Sequence, residues 1–210
     1  MTVVGLDLAG AQTRPTGFCK LVGMHAETRL LYTDKEILRA VQEAQVRVIA
    51  VDAPLSLPPG RKSIDERTSE HLREADRELL RRGIKFFPIT LGPMRKLTER
   101  GMHLKSLLEP QGYRVIEAYP GGAQDVLGIP RKQRGLDKLE AGLEALGLTG
   151  LKEGLSDHEL DAATIALVAK MYVEGKSVTY GDPEQGIVMP PGDKLKPKSD
   201  VCTSKHQNDE

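Results

Sequence analysis

Thr2-Val3-Val4-Gly5-Leu6-Asp7-Leu8 opens the chain as a short, β-branched, apolar run with a carboxylate as its penultimate residue. It reads as a buried strand, and the fold can be read outward from it. Gly10 to Pro15 is turn-rich. Thr16 to Val22 predicts a second strand and Thr28 to Tyr32 a third. The short connections predict an antiparallel meander. Thr33-Asp34-Lys35-Glu36 then has the pattern of a capping box, with Ile37, Leu38, Val41 and Ala44 at helical spacing behind it. That helix feeds a strand, Val46 to Val51. A strand reached by such a crossover lies parallel to an earlier one.

Pro54, Pro58, Pro59 and Gly60 predict a loop. A charged helix is expected over residues 64–82, with Leu72, Ala75 and Leu79 as its apolar stripe. A second helix is expected over residues 94–108, so that residues 61–110 form a helical insertion. Tyr113 to Glu117 is the next strand. Pro120 suits the first turn of a short helix, and Leu136 to Leu146 predicts another. Ser156-Asp157-His158-Glu159 is a second capping box, opening a long apolar helix that Gly175 ends. Residues 178–180 and 187–189 flank Gly181-Asp182-Pro183-Glu184-Gln185-Gly186, which suggests a terminal hairpin. The expected architecture is α/β. Three antiparallel and two parallel strands form a mixed sheet flanked by helices in one domain over residues 1–190. Residues 191–210 are polar and rich in Lys, Pro and Asp, and disorder is expected there.

Four acids end or enter these buried elements. Asp7 closes the first strand, Asp52 the fourth and Glu117 the fifth, while Asp161 lies one turn inside the last helix. A buried carboxylate is costly unless its charge is offset. Four of them suggest a shared divalent cation. The first and fourth strands can be neighbours where the direction of winding changes, and ligands gather at the carboxyl ends of strands at such points. Each acid also has a plain alternative. Asp7 reads as the start of a turn in the usual way of Asp, Asp52 as a strand exit, and Glu117 as a solvent-facing residue. Asp157 and Glu159 suit the first turn of a helix. Asp161 lies deeper, on the same face as Asp157 and His158. His158 can ligate a metal, move a proton or simply cap the helix.

Composition narrows the partners. Formal net charge is zero, so contact with a polyanion must come from a local patch or a bound metal. Residues 61–105 carry twelve Lys/Arg against seven Asp/Glu. Glu70, Glu74 and Glu78 each precede an arginine by three residues, which describes a solvated, internally paired helix for Arg73, Arg77 and Arg81. Arg61, Lys62, Arg95 and Lys96 flank Pro/Gly loops and are the better candidates for phosphate contacts. Aromatics are 4% of the chain and Trp is absent, which argues against a stacking platform for single-stranded nucleic acid. Cys19 and Cys202 read as free thiols. With no apolar run of membrane-spanning length and no signal-peptide pattern, a cytoplasmic setting is expected.

Gly5-Leu6-Asp7-Leu8-Ala9-Gly10 with Thr16-Gly17, Val51-Asp52-Ala53-Pro54-Leu55, Ile116-Glu117-Ala118-Tyr119-Pro120 and Asp157-His158-Glu159-Leu160-Asp161-Ala162, in this order, resemble an uncharacterised family of predicted nucleases with an RNase H-like fold. Phe86-Phe87-Pro88 and Gly92-Pro93-Met94-Arg95 also resemble that family. The acidic pattern is also similar to RuvC-type Holliday-junction resolvases. The resemblance implies an RNase H-like core and a divalent-metal site of Asp7, Asp52 and Asp161, with Asp157, His158 and Glu117 accessory. Glu117 closes the fifth strand, outside the usual RNase H set. The expected activity is phosphodiester hydrolysis of DNA or RNA with two Mg²⁺ or Mn²⁺ ions. Resolvase-like activity would call for a homodimer. A phosphotransferase related to actin and sugar kinases, and a non-catalytic nucleic-acid-binding module on the same fold, are the alternatives.

Overall fold

The computed structural model describes residues 1–192. The expected disordered tail from Asp193 onward, and Cys202 within it, lie outside the described residues. Seven strands form one sheet in the order β3-β2-β1-β4-β5-β7-β6. They are β1 (Thr2–Asp7), β2 (Thr16–Val22), β3 (His25–Leu31), β4 (Val48–Val51), β5 (Arg114–Ala118), β6 (Val178–Tyr180) and β7 (Ile187–Met189). The first three are antiparallel, while β4 and β5 run parallel to β1. This is the RNase H-like arrangement that the resemblance implied. The terminal hairpin does more than was expected of it. β7 pairs in parallel with β5, so the hairpin extends the sheet from five strands to seven.

Alternation along the strands sorts side chains into two layers. Val3, Ala50, Ile116 and Ala118 face the long helix α6 (Asp157–Val173). Val4, Leu6, Ile49, Val51 and Val115 face the other way, toward α1 (Asp34–Ala44) and α3 (Gly92–Leu108). By the same parity Asp7 and Asp52 belong to the α6 face, whereas Glu117 belongs with Val115. Both capping boxes form: Thr33 with Glu36, and Ser156 with Glu159. In each, the hydroxyl accepts from an orphan amide and the carboxylate accepts from the N-cap amide.

The charged helix departs from the sequence expectation. α2 covers only Glu74–Arg81. The preceding stretch is held as turns instead: Ser63 Oγ accepts from the Glu66 amide, and Arg61 donates to the carbonyls of Ile64 and Glu70. The helix starts where Asp76 turns back to accept from the Arg73 amide at 2.8 Å. The two shorter helices follow the sequence closely, α4 over Pro120–Leu127 and α5 over Leu136–Ala145.

The seat of α6 is set by two glycines. A Cβ on Gly5 would lie 2.2 Å from the Ala162 carbonyl oxygen, and one on Gly17 would lie 1.9 Å from that of His158. The helix therefore rests on bare strand backbone, and its small residues Ala162 and Ala166 complete the fit. This contact brings the first turn of α6 against the end of β1. Gly17→Ala should push that turn away and destabilise the fold by about 3 kcal/mol or more. Thermal denaturation would register this as a large loss of Tm, and an unchanged Tm would contradict the seating.

Candidate active site

The site is assembled at the carboxyl ends of β1 and β4. Leu6 is in register with Val51, and the Asp52 amide donates to the Leu6 carbonyl at 2.8 Å. Asp7 and Asp52 thus leave adjacent strands side by side. Their carboxyl groups are near enough for Asp7 to raise the proton affinity of Asp52 directly. Asp161 comes down from α6 onto the same group.

Crowding of like charge in a sheltered place shows in the proton affinities. Burial pushes the Asp52 carboxyl well above the usual carboxylate range, and the charges of Asp7 and Asp161 push it further. Asp161 is raised as well, chiefly by burial, with Asp7 adding to the effect and Lys132 opposing it. His158 Nδ1 lies 2.6 Å from Asp7 Oδ2. That hydrogen bond raises the imidazole above its ordinary value against the effect of burial. The charged imidazolium is thereby favoured over the neutral ring.

Two residues that sequence reading missed complete the cluster. Gln124, buried on α4, donates to Asp161 Oδ1 at 2.8 Å and to Thr164 Oγ1 at 3.2 Å. Lys132, in the connection between α4 and α5, places its ammonium 2.9 Å from Asp157 Oδ2 and 2.9 Å from Asp161 Oδ2. Burial works against the charge of Lys132, but Asp161 first and then Asp157 hold it firmly protonated. The clue to Lys132 was spatial. It is 25 residues from Asp157, and its neighbours in sequence are two further cations, Arg131 and Arg134.

Glu117 is not free to join. It lies near enough to add to the field on Asp52, yet both its oxygens are taken. Arg73 grips it at 2.6 and 2.8 Å, and the Leu55 amide donates to it at 2.8 Å. Arg73 itself corrects the expectation of a solvated arginine. It is 5% exposed and also grips Asp76. Burial disfavours its charge, and Glu117 with Asp76 outweighs that penalty. Arg77 and Arg81 are exposed and paired as the sequence suggested, but of the expected three-residue spacings only that of Glu78 with Arg81 forms; Arg77 instead reaches Glu70, and Arg81 also reaches Glu74, each seven residues away.

The four loop cations divide. Arg61 is buried and spends its guanidinium on backbone carbonyls of its own loop, so it is not presented to a phosphate. Arg95 is paired with Asp65. Lys62 and Lys96 are exposed, and Lys96 lies beside Gly10, in the loop that follows Asp7.

Carboxylate oxygens are suitable donors for a hard divalent cation, and the excess negative charge here is what such an ion would relieve. As the side chains stand, however, no group of three or more His, Cys, Asp or Glu among the described residues is arranged to hold one ion. Lys132 supplies the positive charge instead.

Residues 5–185 match the family model described as "Protein of unknown function (DUF429)". The chain belongs to that family. No curated protein matches this DUF429 chain. A solved structure described as "Thermus thermophilus RuvC structure" aligns with 83% of it and with 96% of its own length, at 16% identity and a TM-score of 0.44. Among the described residues no helix is long and apolar enough to cross a membrane.

The raised carboxyls fix a pH dependence. A folded-state pKa above the unfolded one means that the native state binds the extra proton, so stability falls as pH rises from about 4 through the raised values of Asp52 and Asp161. His158 acts in the same direction. Its contribution is full below about pH 6.5 and is lost as pH climbs through its raised value. Asp52→Asn should therefore raise the Tm of chelator-treated protein at pH 8, by the equivalent of about 1–3 kcal/mol, and flatten the slope of Tm against pH. Lys132→Met should do the opposite and cost about 1–2 kcal/mol, discounted for its partial exposure. A Tm series from pH 5 to 9 on the three proteins tests both signs.

Proposed function

We propose that this chain is a divalent-metal-dependent nuclease that hydrolyses phosphodiester bonds in DNA or RNA. The observation that carries the reading is the crowding of Asp7, Asp52 and Asp161 on one face, where a lysine beside Asp161 offsets charges that repel. A protein gains no stability from such a group of acids, so its use is chemical. Asp7, Asp52 and Asp161 would hold the metal, with Asp161 turning from Lys132 toward the ion and Asp157 remaining beside it. Mg²⁺ or Mn²⁺ bound there supplies Lewis-acid stabilisation of the phosphoryl oxygens and acidifies a bound water.

The protein's own residues have the remaining tasks. His158 orients Asp7 through Nδ1, which leaves its second ring nitrogen as the group that would move a proton. Gln124 fixes the rotamer of Asp161. Lys62 and Lys96 suit contacts to the phosphate backbone, which position a strand without reading its sequence. Glu117, saturated by Arg73, holds the loop after β4 through the Leu55 amide and takes no part in proton transfer.

Cleavage of a panel of single-stranded, duplex, junction and hybrid substrates in Mg²⁺ or Mn²⁺, with chelator as control, tests the reading. Asp7→Asn should lower the rate by about 100- to 1,000-fold or more while the protein stays folded. Equal cleavage by Asp7→Asn and wild type would remove the assignment.

A further inference from the structure

Beside the acidic cluster lies a cavity of about 160 Å³ whose wall includes Asp52 itself. Its other walls are mainly apolar and aromatic: Phe86, Phe87, Met94, Leu97 and Tyr119. The chain has three phenylalanines and no tryptophan, and two of those three phenylalanines are here. Phe87 is 69% exposed at this cavity, a placement that core packing does not explain.

The polar part of the wall narrows what can enter. Arg73 has five N–H donors, and all five are engaged, with Glu117, Asp76 and Ser56. Both Glu117 oxygens are likewise occupied. Arg73, Asp76 and Glu117 are thus spent on one another, so Arg73 offers no free donor to a phosphate, and the carboxyl left in the wall is Asp52, which belongs to the acidic cluster. The cavity offers flat apolar surface to an uncharged ring. At about 30 Å³ per water it has the room of about five waters. That is well below the roughly 300 Å³ at which pockets for drug-sized ligands begin, and it suits a single ring system rather than a whole nucleotide.

We propose that this cavity is a subsite for one unpaired nucleobase, stacked on Phe87, of the strand whose phosphate lies at Asp7 and Asp52. The inference rests on the nuclease reading and deepens it. Substrates with an unstacked base next to the cut are preferred over fully paired duplex, because a paired base cannot leave its helix without losing its stacking. The scarcity of aromatics across the chain agrees with a site for one base rather than an extended platform.

The test uses oligonucleotides carrying 2-aminopurine, single-stranded or fully paired, bound to the full chain in buffer containing Ca²⁺, with strand integrity checked on gels. Overall binding is followed by anisotropy and stacking by 2-aminopurine fluorescence. The single strand should show a change in fluorescence on binding and the paired duplex a much smaller one. Phe87→Ala should abolish the change and weaken single-strand binding by roughly 5- to 100-fold, while Phe87→Trp restores both. Tm values confirm that these exposed-site variants fold. Strand binding with no fluorescence response, or a response unaltered in Phe87→Ala, overturns the subsite and leaves the nuclease reading standing. Absence of binding to every oligonucleotide overturns both. Sedimentation of the same samples covers the other occupant: a dimer that dissociates in Phe87→Ala while the fluorescence response persists would assign the patch to self-association and overturn the proposal.

Discussion

The structure depends on one close approach, the seating of α6 on the bare backbone of β1 and β2. Gly5 and Gly17 leave no side chain between helix and sheet, and a methyl group at either position would meet helix backbone. That absence of atoms sets the height of α6 above the sheet. It also sets how near Asp161 and His158 come to Asp7. The buried faces of Ala162, Ala163 and Ala166 belong to the same device, since larger residues would lift the helix. The geometry of the acidic cluster is thus a product of packing, with the carboxylates riding on elements whose positions are fixed by steric contact.

The cluster then needs charge compensation, and the molecule supplies it in two ways. The α6 side has Lys132, whose ammonium lies between Asp157 and Asp161. The opposite side has Arg73 between Glu117 and Asp76. These two solutions differ in permanence. Arg73 is enclosed, its donors are saturated and its charge cannot be given up. Lys132 is about one-third exposed and has a flexible stem, so it can withdraw toward solvent without leaving an empty space behind it.

Much of this was legible along the chain, and what was hidden was hidden for physical reasons. Strand order, the two capping boxes and the pairing of Asp7 with Asp52 follow from local pattern and the rule for parallel crossovers. Thr33 and Ser156 were readable because a capping box is completed within four residues. The side of the sheet that Glu117 faces was not readable. Alternation groups it with Tyr113 and Val115, but only the packing of Val115 against the α1 and α3 layer says which face that is. Arg73 and Lys132 were missed because their partners lie up to 44 residues away, and because each sits among other charged residues that suggest a solvated surface. The terminal hairpin was visible as a hairpin, while its pairing with β5 was not, since β7 has only three residues to announce a neighbour.

The Arg73 junction has a mechanical meaning. One guanidinium ties the start of α2 to the end of β5, and through Glu117 to the loop after β4. Any partial withdrawal of α2 would strand two carboxylates in a sheltered space without their counter-charge, which is far more costly than loosening an exposed pair. The tether therefore resists any separation of α2 from β5. The segment that carries Phe86 and Phe87 follows α2 directly, so the same guanidinium anchors the helix from which that segment departs.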